Sequence, residues 1–282
     1  MIGGPVSRTL GNLLAEQAAR TPDALAVHYG GRACSYAQLH ERAQRTADGL
    51  RVLGVRRGDR LGLLVGNSLE WLDILFAGMM LGATVVPVST WSKPSEIAFI
   101  LEDSAVTTLV ATARAGSENH LESLMQLVPE AWRAGPGGWQ STTLPLLRHV
   151  VMLDVDPSIR PTGFMPYEVL HELARQSCDA ESAGAQADDV AVILYTSGST
   201  GKPKGVMLSH ANILSNAFAG LKVMTVGRAD VFLSFLPLSH TFERTCGYYL
   251  TVMSGSTVVF ARSVQQLSED LQRSEEHTSE LQ

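Results

Sequence analysis

The strongest constraint on the fold of this chain is an alternation of short apolar runs with stretches of helical periodicity, joined by connections of only a few residues. Apolar residues recur at helical spacing over residues 9–20 and again over 36–53, the second run preceded by Ser35 as a capping residue. Between them, residues 24–29 have strand character and stop at Gly30-Gly31. Residues 60–66 form a further apolar strand, Asn67-Ser68 caps a helix over 69–81, and Gly82 closes that helix. A buried strand at 85–88, a helix at 95–102 opened by Pro94, and a strand at 107–111 continue the pattern. Strand and helix in alternation predict an α/β fold of largely parallel sheets layered with helices on both faces.

The pattern loosens at the Gly- and Pro-rich residues 133–138 and again over 179–189, which are rich in Ala, Asp and Glu. After the second break come an apolar strand at 190–195, a Gly/Ser/Thr-rich loop, a short strand at 206–208, and a helix from His210 capped by Ser209. Further strands fall near 231–236 and 257–260. The expected organisation is a first αβ subdomain over 1–178, a linker over 179–189 and the start of a second subdomain over 190–272.

Charge and cysteine content exclude several functions. Lys and Arg number 22 against 28 Asp and Glu, a formal charge of −6, which leaves no basic footprint for nucleic acid or an anionic membrane. An anionic ligand therefore needs a local site. Cys34, Cys178 and Cys246 stand far apart without metal-ligand spacing, so a reducing cytoplasm fits better than a disulfide framework or a zinc site. The opening residues lack the order of a signal peptide, and export is not expected. The most apolar stretch, 74–88, is shorter than the roughly twenty residues a spanning helix needs and is broken by Gly82 and Pro87. No transmembrane segment is expected, and peripheral membrane contact is left open.

The segment Tyr195-Thr-Ser-Gly-Ser-Thr-Gly-Lys-Pro-Lys-Gly205 places three glycines, four aliphatic hydroxyls and two lysines between two apolar runs. Glycines let successive N–H groups turn toward an anion, hydroxyls donate or ligate Mg²⁺, and a lysine adds a compact charge. The same composition also suits a plain solvated turn. A Walker A loop does not fit, since Gly201-Lys202 is followed by Pro203 rather than Ser or Thr.

Residues 193–204 resemble the AMP-binding signature TSGSTGxPKG of the adenylate-forming superfamily. Thr21-Pro22-Asp23, the Ser35-to-Leu39 run, Gly58-Asp59-Arg60 and the stretch from Glu70-Trp71 to Pro87 are similar to that family's structural landmarks. The segment 232–244, with its Leu-Pro-Leu-Ser-His240-Thr-Phe-Glu-Arg244 core, is similar to long-chain fatty acyl-CoA synthetases in particular.

The resemblance implies ATP-dependent activation of a long-chain fatty acid to an acyl-adenylate and then to acyl-CoA, with ATP and Mg²⁺ required and CoA as co-substrate. It implies that Thr196, Ser197, Gly198, Ser199, Thr200 and Gly201 wrap the phosphates. It further implies that Lys204 adds catalytic charge, that Lys202 stands at a variable position, that Thr196 ligates Mg²⁺, and that His240 is catalytic near the acyl and nucleotide sites. A loop histidine that merely hydrogen-bonds is the plainer reading of His240.

Glu243 and Arg244 either orient that site or pair with each other, and Phe235, Phe242, Tyr248 and Tyr249 are expected in the core rather than in an acyl tunnel. The family's adenine and ribose motifs and its C-terminal domain have no counterpart in this chain, which is expected to be an inactive N-terminal fragment on its own. Residues 273–282 match the in-frame translation of a common sequencing adapter and are expected to be an artefact without function. Two other functions keep parts of the pattern: a short nucleotide- or acyl-binding module without catalysis, and an adenylate-former for another carboxylic acid.

Overall fold

The computed structural model describes residues 7–176, 184–196, 203–261 and 266. Helix α1 (Leu10–Arg20) starts at Thr9, whose hydroxyl accepts from the Asn12 amide. It leads into strands β1 (Leu25–Tyr29) and β2 (Arg32–Ser35). The sequence pattern did not reveal β2. Gly30 and Gly31 both take positive φ, 55° and 79°, and this two-residue turn folds β2 back antiparallel on β1. Helix α2 (Tyr36–Val52) opens with a reciprocal cap, in which the Gln38 amide donates to Ser35 Oγ and the Ser35 amide donates to Gln38 Oε1.

The expected alternation then follows, each element within two residues of its expected bounds: β3 (Arg60–Leu64), α3 (Leu69–Leu81), β4 (Thr84–Pro87), α4 (Pro94–Asp103) and β5 (Thr108–Thr112). A small ribbon of β6 (Arg114–Ala115) and β7 (Glu118–Asn119) precedes α5 (His120–Leu127), β8 (His149–Leu153), β9 (Met165–Pro166) and α6 (Glu168–Ala174). The remainder is β10 (Val190–Thr196), β11 (Lys204–Ser209), α7 (His210–Val223), β12 (Val231–Ser234), a π-helical segment (Glu243–Tyr249), α8 (Leu250–Ser254) and β13 (Thr257–Phe260).

A seven-stranded sheet runs in the order β11-β10-β4-β3-β5-β8-β9 and is parallel except between β10 and β11. The chain steps from β3 to β4 on one side and back across β3 to β5 on the other, so right-handed crossovers put α3 and α4 on opposite faces. Burial follows the period of two that this requires. Leu61, Leu63, Val85, Val110 and Val151 join a core with α1, α2 and α3, whereas Leu64, Val86, Leu109, Ala111 and Met152 join a second core with α4 and α5. The smaller sheet, β12-β13-β1-β2, contributes Val27, Val258 and Phe260 to the first core.

The expected linker, 179–189, lies partly outside the described residues, and both sheets are shared across it. β10 lies parallel to β4, with Val192 opposite Val85, and the Thr84 hydroxyl donates to the Val190 carbonyl at 2.8 Å. β13 lies parallel to β1, and the Thr257 hydroxyl donates to the Leu25 carbonyl at 2.9 Å. The stretches 1–178 and 190–272 are therefore not separate sheets. A parallel strand needs an open edge to pair with, and β4 and β1 supply those edges.

Polar contacts add specific joints between helices. Arg42 of α2 donates through Nε and Nη2 to the buried Asp73 carboxylate of α3 at 3.1 and 2.5 Å, and Arg32 makes a bidentate pair with Glu70 at 2.9 and 3.1 Å. Burial pushes the Asp73 carboxyl up to about 6, and Arg42 pulls against that shift.

A second joint ties α7 to α1, where the Leu10 amide donates to Nδ1 of the fully buried His210 at 3.2 Å while Nε2 has no partner among the described residues. Burial lowers the His210 pKa from 6.5 to about 4. The unfolded chain thus takes up this proton near pH 6.5 and the folded chain only near pH 4, so the contribution is complete above that window and is lost as pH falls through it. Denaturant midpoints measured from pH 7 to pH 4 should contain an acid-side loss, on the order of 3 kcal/mol, that is missing in His210→Gln. Parallel curves for the two proteins would refute the assignment.

Candidate functional site

In an open α/β sheet, ligands bind beyond the carboxyl ends of the parallel strands. β10 and β4 run the same way, so β10 ends with Thr196 at that carboxyl edge. Ser197, Gly198, Ser199, Thr200, Gly201 and Lys202 lie outside the described residues. What is described is the mouth of the hairpin that carries them. Thr196, the last residue of β10, stands opposite Lys204, the first of β11, and both side chains are exposed. The strand expected at 206–208 begins at Lys204 instead, because antiparallel pairing with β10 extends to the Thr196–Lys204 rung. A cation and a hydroxyl are thereby fixed on facing backbone positions.

His240 reaches the same edge by a different route. The carboxyl end of β3 continues into Gly66-Asn67-Ser68, where Ser68 Oγ accepts from the Trp71 amide and caps α3. Asn67 does something else. Its Nδ2 donates to the Leu236 carbonyl and its Oδ1 accepts from the Leu238 amide, both at 2.8 Å, across about 170 residues of sequence. One side-chain amide therefore clamps the segment leading to His240, whose own amide donates to Pro237 O at 2.8 Å. β3 and β10 are separated only by β4, about 10 Å for two strand spacings, so the His240 segment and the hairpin mouth occupy one sheet edge. His240 is exposed, and no contact joins it to Thr196 or Lys204. Sequence reading took Asn67-Ser68 together as a cap and did not identify the clamp. The signal was the extra polar residue in front of a sufficient Ser cap.

Beyond His240 the chain forms the π-helical turn Glu243–Tyr249, a rare geometry that is frequent at functional sites. Glu243 and Arg244 are both buried, and among the described residues they form no ion pair with each other or with anything else. Burial pushes the Glu243 carboxyl up and the Arg244 guanidinium down. The Glu243 carboxyl folds onto Gly247, where any Cβ would clash with it. Tyr248 and Tyr249 are in the core, as expected. Phe235 and Phe242 are not: they are 44% and 61% exposed, the first directly after β12 and the second in the helical residues that lead into Glu243.

Among the described residues, no group of three His, Cys, Asp or Glu side chains could hold a metal ion, and no helix is long and apolar enough to cross a membrane. The exposed Thr196 hydroxyl is of a kind that can serve as one protein ligand to an Mg²⁺ ion.

A family model described as AMP-binding enzyme matches residues 14–278 of the chain. That match runs into the stretch 273–282, which lies outside the described residues. The medium-chain acyl-CoA ligase ACSF2, mitochondrial, of Danio rerio is 32% identical over 262 residues, covering 90% of this chain and 43% of that protein. The N-terminal domain of FACL13 from Mycobacterium tuberculosis superposes with a TM-score of 0.74 at 25% identity, over 93% of this chain and 60% of that one. O-succinylbenzoate Coenzyme A synthetase (MenE) from Bacillus subtilis, solved with ATP and a magnesium ion, superposes with a TM-score of 0.69 at 24% identity over 93% of this chain and 60% of that one, a likeness of fold. The chain spans less than half the length of the curated relatives it matches.

The Asn67 clamp predicts a local effect. Asn67→Ala should lower unfolding stability by about 2 kcal/mol for two lost hydrogen bonds. It should also speed hydrogen exchange at the Leu238 amide, while exchange in β8 stays as in the unaltered protein. An unchanged Leu238 amide would show that the clamp does not hold the segment.

Proposed function

The chain belongs to the AMP-binding enzyme family, and from that premise we propose that it supplies the polyphosphate-binding hairpin of an ATP-dependent carboxylate–CoA ligase. In the first step a carboxylate oxygen attacks the α-phosphorus of ATP, the bond to the bridging oxygen breaks, and pyrophosphate leaves with the new negative charge. In the second, the CoA sulfur attacks the acyl-adenylate carbonyl, AMP leaves, and the thiol proton is released. The observation that carries the proposal is the Thr196–Lys204 rung at the carboxyl edge of the parallel sheet.

Lys204 is proposed to meet the charge developing on the departing pyrophosphate, and a preorganised cation is most effective against charge that appears only in the transition state. Thr196 is proposed to share the Mg²⁺ that accompanies the nucleotide, a role consistent with the ATP and magnesium named for the Bacillus subtilis synthetase. Ser197, Gly198, Ser199, Thr200 and Gly201 are proposed to wrap the β- and γ-phosphates, with Lys202 beside them. His240, held through the Leu236–Leu238 clamp, is proposed to act at the acyl end of the site. With a net charge of −6, ATP has no favourable global field to follow, which puts the burden on this local cation.

The acid is proposed to be a long-chain fatty acid. The segment from Leu236 to Arg244 supports this, as do the apolar side chains of Phe235 and Phe242 exposed beside His240. Related names point to different acids, medium-chain for the Danio rerio ligase and O-succinylbenzoate for the Bacillus subtilis synthetase.

In the full-length gene product, Lys204→Ala should slow acid-dependent ATP–pyrophosphate exchange on the order of a hundredfold, about 3 kcal/mol, with little change in melting temperature because Lys204 is exposed. Exchange at the unaltered rate would refute its role. Across palmitate, octanoate and benzoate, kcat/KM should be highest for palmitate, since each buried methylene contributes about 0.8 kcal/mol. A maximum at octanoate or benzoate would replace the long-chain reading with that acid class.

A further inference from the structure

We propose that Tyr195 is a positioning residue of the phosphate-binding hairpin, which locks Thr196 and Lys204 in place by bracing against Asp103 of α4 and covering Gly205 of β11. The proposal deepens the functional reading above and rests on it.

Side chains alternate along β10, so Tyr195 shares a face with Ile193 and packs against the core beneath α4, while Thr196 points the other way. The Tyr195 hydroxyl donates to Asp103 Oδ2 at 2.5 Å, and its ring meets Phe99 edge-on at 6.2 Å and 84°. Phe99 and Asp103 are four residues apart on α4 and present one face to the phenol. An aspartate in the last turn of a helix opposes the macrodipole, so α4 gains nothing from Asp103 by itself. The hydrogen bond from Tyr195 gives that carboxylate a purpose.

Across the ladder Tyr195 stands directly opposite Gly205. A Cβ at Gly205 would lie 3.0 Å from Ile193 Cγ2, 3.2 Å from Tyr195 Cζ and 3.3 Å from its hydroxyl oxygen, so Ile193 and the ring together crowd the place a side chain would take. This Tyr195–Gly205 rung is the one next to the Thr196–Lys204 rung. β11 is an edge strand, exposed from Lys204 to Met207 and paired on one side only, so its ladder bonds alone leave its first residue prone to fraying. The phenol ties β10 to α4 and lies against Gly205 of β11, one rung from Lys204, where displacement would do most harm.

The test measures Mg·ATP affinity by calorimetry on the full-length gene product and on its Tyr195→Phe, Asp103→Ala, Asp103→Asn, Tyr195→Phe/Asp103→Ala double, Gly205→Ala and Lys204→Ala variants. Tyr195→Phe and Asp103→Ala should each weaken binding about fivefold, the worth of one net hydrogen bond, and the double variant should be no weaker than either. Asp103→Asn keeps an acceptor and should bind within about twofold of the unaltered protein. Gly205→Ala should weaken binding by displacing the ring. Hydrogen exchange at the described ends of β10 and β11 should rise in the weakened variants, while melting temperatures stay close together.

Additive losses in the double variant, or Tyr195→Phe binding as the unaltered protein does while Lys204→Ala has lost affinity, would overturn the anchor and leave the functional reading standing. Equal binding by Lys204→Ala and the unaltered protein, or no binding by either, would overturn the functional reading and the anchor with it.

Discussion

The candidate site depends on one pairing: β10 lies parallel along the open edge of β4. The Val192–Val85 register and the Thr84 hydroxyl on the Val190 carbonyl set how far β10 travels before it ends, and that end is where Thr196 meets Lys204. A shift by one residue would exchange the faces of the strand. Tyr195 would leave α4, and Thr196 would turn into the core beneath it. The uninterrupted apolar run from Val190 to Leu194 opposes such a slip weakly, since both faces of this sheet are buried; the polar bond from Thr84 and the Tyr195–Asp103 bond specify it more strongly.

The same logic recurs across the molecule. Late strands complete early ones, β13 on β1 and β10 on β4, and a few polar side chains pin each junction: Thr257 on Leu25, Tyr36 on the Ser256 carbonyl at 2.6 Å, Asn67 on Leu236 and Leu238, and His210 on Leu10. Hydrophobic burial provides the bulk of the driving force but is indifferent to direction. Hydrogen bonds from buried or half-buried groups are costly to leave unmade, and so they decide register. The π-helical turn is where this accounting is left open, with Glu243 Oε1, Arg244 Nη1 and the hydroxyls of Tyr248 and Tyr249 buried and unpartnered among the described residues.

Much of the secondary structure was legible because it rests on local causes. Ser35, Ser68 and Ser209 each cap a helix from the adjacent position, Pro94 opens α4, and Gly82 ends α3 in the left-handed conformation at φ 71°. The misses have local and non-local causes that differ. β2 was missed although Gly30-Gly31 is a hairpin turn, because Arg32 to Ser35 lacks an apolar alternation. The true start of β11, the π-helical turn, and the sharing of both sheets across 179–189 follow from pairing and packing with residues far away in sequence.

By itself the amino-acid sequence determined the alternation of periods, hence a layered α/β fold, and the clustering of glycines, hydroxyls and Lys204 in one short segment, hence a candidate place for polyphosphate. Both are properties of neighbouring residues. Only the tertiary structure decided that this segment opens at the carboxyl edge of a parallel sheet, that His240 is brought to that edge by Asn67, that Phe235 and Phe242 face outward, and that Tyr195 is held by Asp103. Those outcomes depend on strand order and register, which arise from contacts between residues about 90 to 170 positions apart, and no local propensity encodes them.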